Sequence, residues 1–307
     1  MNLRLGLFCV SSLIAIAVVA CGGDAVGIPD PSQPPPAGAG EGSGAPDPAA
    51  PSSPDTPPDE GVAGPKVAIR LRGSTAPFTH VDGWSGATPE MQIVAISSLW
   101  LLRSPTDANP VRVFDHGVSS IPADLVTNES TEVGSVVAKT LPAGEFTIAK
   151  AGVAYVRYSV PARMHSIVSV DGRYDNVQSL SDGAVVDGVP HDKGWFRYSF
   201  SANGTTYGAL EGDTAPLPAV NTNGGLTLDT SGPQSFYVFP VKVSVDPDIT
   251  TDHEVLLEVN VHESFRWQDQ FAPGYSAKVF DTTPYTFEPV MAFGANAFTL
   301  IGPTRKP

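Results

Sequence analysis

The chain has 307 residues, a net charge of −14 and a hydrophobic share of 41%. That is enough apolar material for one sizeable core. The acidic balance excludes the basic footprint of a nucleic-acid binder and electrostatic capture by an anionic membrane surface.

In chain order, Arg4 precedes an apolar run from Leu5 to Ala20 that is broken only by Gly6, Ser11 and Ser12. The run is short for a bilayer crossing, which takes about 20 apolar residues, and its N-terminal place suits a secretory signal. Its ending, Val18-Val19-Ala20-Cys21, resembles the lipobox of bacterial lipoproteins. The resemblance implies cleavage before Cys21 and a diacylglycerol thioether and N-acyl chain on that cysteine. The membrane would then be a partner reached through covalent lipid. Several chains make such an anchor stable, because each buried methylene contributes about 0.8 kcal/mol. The alternative is an ordinary signal cut near Ala20 that leaves Cys21 free. Gly22 follows the cysteine where an inner-membrane lipoprotein usually has Asp, so the resemblance implies the outer membrane of a bacterial envelope. Its periplasmic and surface faces both stay open. Cys9 would leave with the signal, so the mature fold is expected to hold no free thiol and no disulfide. That excludes a thiol nucleophile and a thiolate metal site.

Residues 21–65 hold twelve prolines, nine glycines, seven acids and no base or aromatic. Such a segment cannot bury enough apolar surface to offset its ordering entropy. It reads as a disordered tether with an upper reach on the order of 140 Å, at about 3.1 Å per residue. The signal carries +1 and the tether −7, leaving −8 on residues 66–307.

The remaining 242 residues read as β almost throughout. Val67, Ile69 and Leu71 alternate with Arg70 and Arg72. Tyr237, Phe239, Val241, Val243 and Val245 share one face, with Pro240 opposite. Val255, Leu257, Val259 and Val261 face away from Glu258, Asn260 and His262. A period of two marks half-buried strands, and Pro240 implies an edge or a bulge. Further strands are expected at Gln92–Leu102, Val111–Phe114, Phe146–Val160, Ile167–Val170, Trp195–Phe200, Leu226–Leu228 and Phe298–Ile301. Gln92–Arg103 also suits a helix face. Asp82-Gly83, Asp171-Gly172, Asp182-Gly183, Asp187-Gly188, Asn203-Gly204 and Asn223-Gly224 are turn signals, because Asn and Gly tolerate positive φ. Many short strands with such turns predict an all-β, antiparallel sandwich over 66–307. The Pro/Gly/Asn-rich stretch 211–225 leaves a division into two sheet units open.

Chemistry-bearing residues are present without a decisive arrangement. Asp82-Gly83-Trp84-Ser85-Gly86 approaches a nucleophile elbow, but its second glycine comes one position early. His253-Glu254 and His262-Glu263 begin like a zinc-protease motif, yet Leu257 and Arg266 stand where the second His belongs, and both pairs sit on strands rather than a helix. Asp246, Asp248 and Asp252 could gather oxygens around Ca²⁺, although no sixth-position Gly or bidentate Glu completes a known loop. They could equally be turn residues. No cofactor is expected. Glu258, Asn260 and His262 form either a wet strand face or a ligand contact. Trp84, Trp100, Trp195 and Trp267 invite sugar stacking or core packing. The aromatic-rich stretch 265–293 reads as an arm across the sandwich or a binding rim.

Leu141-Pro142-Ala143-Gly144, followed by Glu145 and Phe146, resembles a segment of an uncharacterised β-sandwich family in bacterial lipoproteins. There a Pro/Gly turn launches an aromatic strand. The resemblance implies fold and location without an activity. Three functions remain. The first is a non-enzymatic envelope lipoprotein that displays its sandwich for adhesion, envelope structure or binding of a glycan or protein. The second is a carbohydrate-binding module with coplanar exposed rings. The third is a hydrolase with a non-local site such as Ser85, His80 and Asp82.

Overall fold

The structure, a computed structural model, describes residues 62–306 except 218, 221 and 285. Cys21, the lipobox and nearly all of the tether lie outside the described residues.

The fold is all-β. The first strands are β1 (Lys66–Ser74), β2 (Ser85–Ala87), β3 (Met91–Leu102), β4 (Val111–Asp115), β5 (Ile121–Asp124) and β6 (Thr131–Val137). A 22-residue strand, β7 (Gly144–His165), follows, then β8 (Ser169–Ser179), β9 (Ala184–Val186), β10 (Val189–His191), β11 (Phe196–Ala202) and β12 (Thr205–Gly212). The chain closes with β13 (Thr227–Asp229), β14 (Ser235–Val245), β15 (His253–Asn260), β16 (Phe265–Trp267), β17 (Asp281–Thr282), β18 (Val290–Ala292) and β19 (Ala297–Arg305). Among the described residues no helix is long and apolar enough to cross a membrane.

β7 is the spine of a ten-stranded sheet. One of its edges carries β14 and then β8, while the other carries β3 and then β17. β14 follows the 213–226 connection and β7 precedes it, so that connection begins and ends within one sheet. A four-stranded sheet, β19-β15-β1-β6, lies opposite. Its β1–β15 pair is parallel and its other pairs are antiparallel. The inner faces share one core. Ile69, Leu71, Val255 and Leu257 from one sheet join Leu99, Ala149, Phe239 and Val243 from the other. Phe298 on β19 stacks on Phe239 of β14 at 4.6 Å. Each large side chain buried this way contributes roughly 1.5–3 kcal/mol.

The half-buried strands fall where alternation puts them. β3 differs because both of its faces are covered. The second face packs Ala95 with Ala154 and Ala184 under the β9–β10 hairpin, and Gln234 donates to Ser97 Oγ at 2.8 Å. A nearly continuous buried run has no period to read, which explains its helix-like look. Pro142 and Gly144 launch β7, and Gly144 takes a φ of +144°.

Two turn signals are type I′ hairpins with positive φ at both positions: Asp187-Gly188 joins β9 to β10, and Asn203-Gly204 joins β11 to β12. Asp171-Gly172 is not a turn, and the strand expected at Ile167–Val170 begins only at Ser169, as the start of β8. The chain reverses at residues 166–168, where Ile167 is wholly exposed, and Gly172 sits inside β8. A Cβ there would lie 2.4 Å from the Ser201 carbonyl oxygen and 2.6 Å from the Phe200 ring. The glycine is therefore needed for close approach of β11. Asn223-Gly224 forms a 3-10 turn rather than a hairpin.

Candidate functional site

Strand alternation places Tyr174, Asn176 and Gln178 on one face of β8. The β8–β11 register sets Tyr198 beside Asn176 and Phe196 beside Gln178. These side chains floor a cavity of about 370 Å³, within the roughly 300–1,000 Å³ of small-molecule sites. Residues 214–217 and Ala219 form one wall, and Phe287, Met291 and Phe293 form the other. The walls are held by backbone. Gln178 Nε2 donates to the Pro216 carbonyl at 2.9 Å, and Ala219 bridges Ala292.

Phe196 and Tyr198 are two positions apart on β11 and half-buried. Their rings lie within 8° of parallel with centroids 6.1 Å apart, so they form an ordered pair of rings. Phe287 meets Tyr198 edge-on at 5.2 Å. Asn176 Nδ2 donates to Tyr158 Oη at 2.9 Å, which fixes the amide. Tyr174 is only 4% exposed. Burial, and after it the neighbouring Tyr158 and Tyr198, push its phenol well above the usual range. It therefore remains a hydroxyl that can donate. Among the described residues, none that lines this cavity carries a formal charge. The site offers aromatic faces, amides and hydroxyls, which is chemistry for a neutral ligand with flat apolar faces and hydroxyl groups.

No protein family, curated protein or solved structure matches this chain.

The residues singled out in the sequence mostly serve other ends. Ser85 Oγ donates to Asp269 at 2.7 Å, so its single proton is not offered to a histidine. Asp82 and Trp84 wrap Arg266 instead. Both Asp82 oxygens accept from the guanidinium, as does the Trp84 carbonyl, at 2.6 Å. A Cβ on Gly86 would lie 2.2 Å from Arg266 Nη1, which is why glycine follows Ser85. Burial opposes ionisation of Asp82, but Arg266 and the Trp84 N–H outweigh it and hold the carboxyl below its usual range.

The three aspartates are not drawn to one centre. Asp246 closes a turn by accepting the Asp248 N–H at 2.9 Å, while Asp252 accepts the Lys66 N–H at 2.9 Å. His80, His262 and Glu263 do bring donor atoms within 4.8 Å of one another. However, His80 Nε2 faces the His262 carbonyl at 3.1 Å, His262 Nδ1 receives the Phe78 N–H at 3.3 Å, and Arg266 Nη1 lies 3.4 Å from Glu263. The guanidinium already supplies positive charge there. Glu258 pairs with Arg72 at 2.6 Å.

Trp195 and Trp267 are core residues, and Trp84 and Trp100 are half-buried. The stretch 265–293 is both arm and rim: Phe265, Trp267 and Phe280 are buried, while Phe287, Met291 and Phe293 line the cavity. The ring pair itself was signalled by Phe196-x-Tyr198 at period two within an expected strand. The cavity was not, because its second wall comes from residues about 90 positions later.

Proposed function

We propose that this chain is a lipid-anchored bacterial envelope protein whose β-sandwich binds a neutral carbohydrate. The observation that carries the binding half is the uncharged cavity floored by Phe196, Tyr198, Tyr174 and Asn176. Sugars present axial C–H faces to aromatic rings and hydroxyls to amides, and this lining supplies both partners. The −8 charge of residues 66–307 disfavours anionic polysaccharides. The anchoring half rests on Val18-Val19-Ala20-Cys21, and Gly22 after it supports attachment at the outer membrane.

A glycan array probed with the purified protein, followed by calorimetric titration of the glycans retained, tests the binding half. Neutral glycans should be retained. Tyr198→Ala should weaken binding about tenfold, equivalent to about 1.4 kcal/mol, through loss of one stacked ring. Retention of anionic glycans alone, or undiminished binding by Tyr198→Ala, would overturn it.

A further inference from the structure

A second arrangement lies on the opposite face of the β7–β8 hairpin, away from the cavity. It does not rest on the carbohydrate reading. β7 ends at His165, β8 begins at Ser169, and the two residues are directly paired. Ser169 Oγ lies 2.8 Å from His165 Nδ1, and His165 Nε2 lies 2.7 Å from Asp281 Oδ1. Asp281 is wholly buried. Its other oxygen accepts the Ser276 N–H at 2.8 Å, and its own N–H donates to Glu288 Oε2 at 2.8 Å.

The two contacts suit one arrangement of protons. When Nε2 donates to the Asp281 carboxylate, Nδ1 keeps its lone pair and accepts from the Ser169 hydroxyl. The ring cannot easily turn away, because Tyr275 stacks on it at 4.8 Å and 25°. Gly274, at φ +89°, passes beside Nδ1 where a Cβ would come within 3.4 Å. The two ring nitrogens exchange the places they usually hold in a serine–histidine–aspartate triad, but the relay of roles is the same. Ser169 itself is exposed, and the neighbouring Ile167 and Val168 expose apolar side chains beside it.

We infer that Ser169 is a nucleophile for acyl transfer from unhindered carboxylic esters, with His165 as its general base and Asp281 as the positioning residue. Ser169 Oγ attacks the ester carbonyl carbon as its proton passes to His165 Nδ1. The C–O bond to the alcohol breaks as His165 returns that proton to the departing oxygen. Water then attacks the acyl-serine, again losing a proton to His165, and the acid and the free hydroxyl result. Ser169 stands on an open hairpin, so the expected acceleration is that of base assistance, about 10²–10⁴-fold.

The test exposes the full-length protein to a fluorophosphonate probe, maps the adduct by peptide mass spectrometry and follows hydrolysis of p-nitrophenyl acetate. Ser169 should be labelled at least tenfold faster than the exposed Ser166 and Ser231, with a rate that rises with pH. Ser169→Ala should abolish both signals. Asp281→Asn should lower the labelling rate and shift its pH profile. His165→Gln, which leaves the aspartate in place, should remove the pH dependence if the buried Asp281→Asn variant does not fold. Labelling of Ser169 no faster than that of the other exposed serines, or a rate unchanged in His165→Gln, would overturn the inference.

Discussion

Arg266 ties residues 82–84 to residues 263–266, because its guanidinium holds Asp82, the Trp84 carbonyl and Glu263 while being 5% exposed. Removing it takes the guanidinium from a half-buried carboxylate and leaves the Trp84 N–H as its hydrogen-bond donor. Arg266→Ala should therefore cost about 3 kcal/mol, read as a lower urea midpoint with an unchanged slope. The same contact sets an acid dependence. Asp82 is held below its usual range as described above. Asp187 is lowered by hydrogen bonding to Arg157 against the pull of burial, and Asp229 is lowered to about 2 by the Ser231 hydroxyl and Lys150. A carboxyl with a depressed folded pKa lends stability that is complete above its unfolded value, about 3.9, and is lost as pH falls through the folded value. Stability of the natural protein should thus hold from about pH 5 to 7 and decline below about pH 4. Arg266→Ala should show a shallower decline. An acid limb as steep as that of the natural protein would mean that the Asp82–Arg266 pair contributes none of it.

At the scale of elements, two Asp-Gly pairs that look alike in sequence should respond differently to alanine. Gly188 has φ +84° and no atom within 4 Å of a Cβ, so Gly188→Ala meets only the left-handed penalty of roughly 1–2 kcal/mol. Gly172 has ordinary backbone, but its Cβ would strike the Ser201 carbonyl and the Phe200 ring. Neither backbone can move without opening the β8–β11 pairing. Gly172→Ala should cost more, about 2–3 kcal/mol, and should also weaken ligand binding because β8 and β11 floor the cavity. Equal unfolding midpoints for the two variants would contradict the packing explanation. The pair also shows what was legible in the sequence. A local signal such as Asp-Gly reports a glycine, not whether the glycine serves a turn or a close neighbour. β14 and β15 were readable because water covers one side of each. β3 was ambiguous because a hairpin and a loop cover its second side, and neither is encoded near it. The Phe196/Tyr198 ring pair could be found by period two. The Ser169–His165–Asp281 relay could not, because Asp281 is 116 positions from His165 and reaches it only where β17 docks on β7.

At the scale of the whole molecule, the sandwich and the N-terminal segment are expected to act separately. The cavity is built from residues 158–293, far along the chain from Cys21, so loss of lipid should leave ligand binding unchanged. Cys21→Ala should abolish incorporation of labelled palmitate. It should also shift the protein from the detergent phase to the aqueous phase of a Triton X-114 partition, because residues 66–307 carry net negative charge and offer no electrostatic hold on an anionic bilayer. A single acyl chain would hold the protein only marginally, whereas the lipobox pattern implies several, so the partition should change almost completely rather than by a fraction. The two readouts separate the causes. Loss of partition with intact glycan binding assigns the anchor to Cys21 and the recognition to the sandwich. Palmitate labelling that survives Cys21→Ala would refute lipidation at that residue.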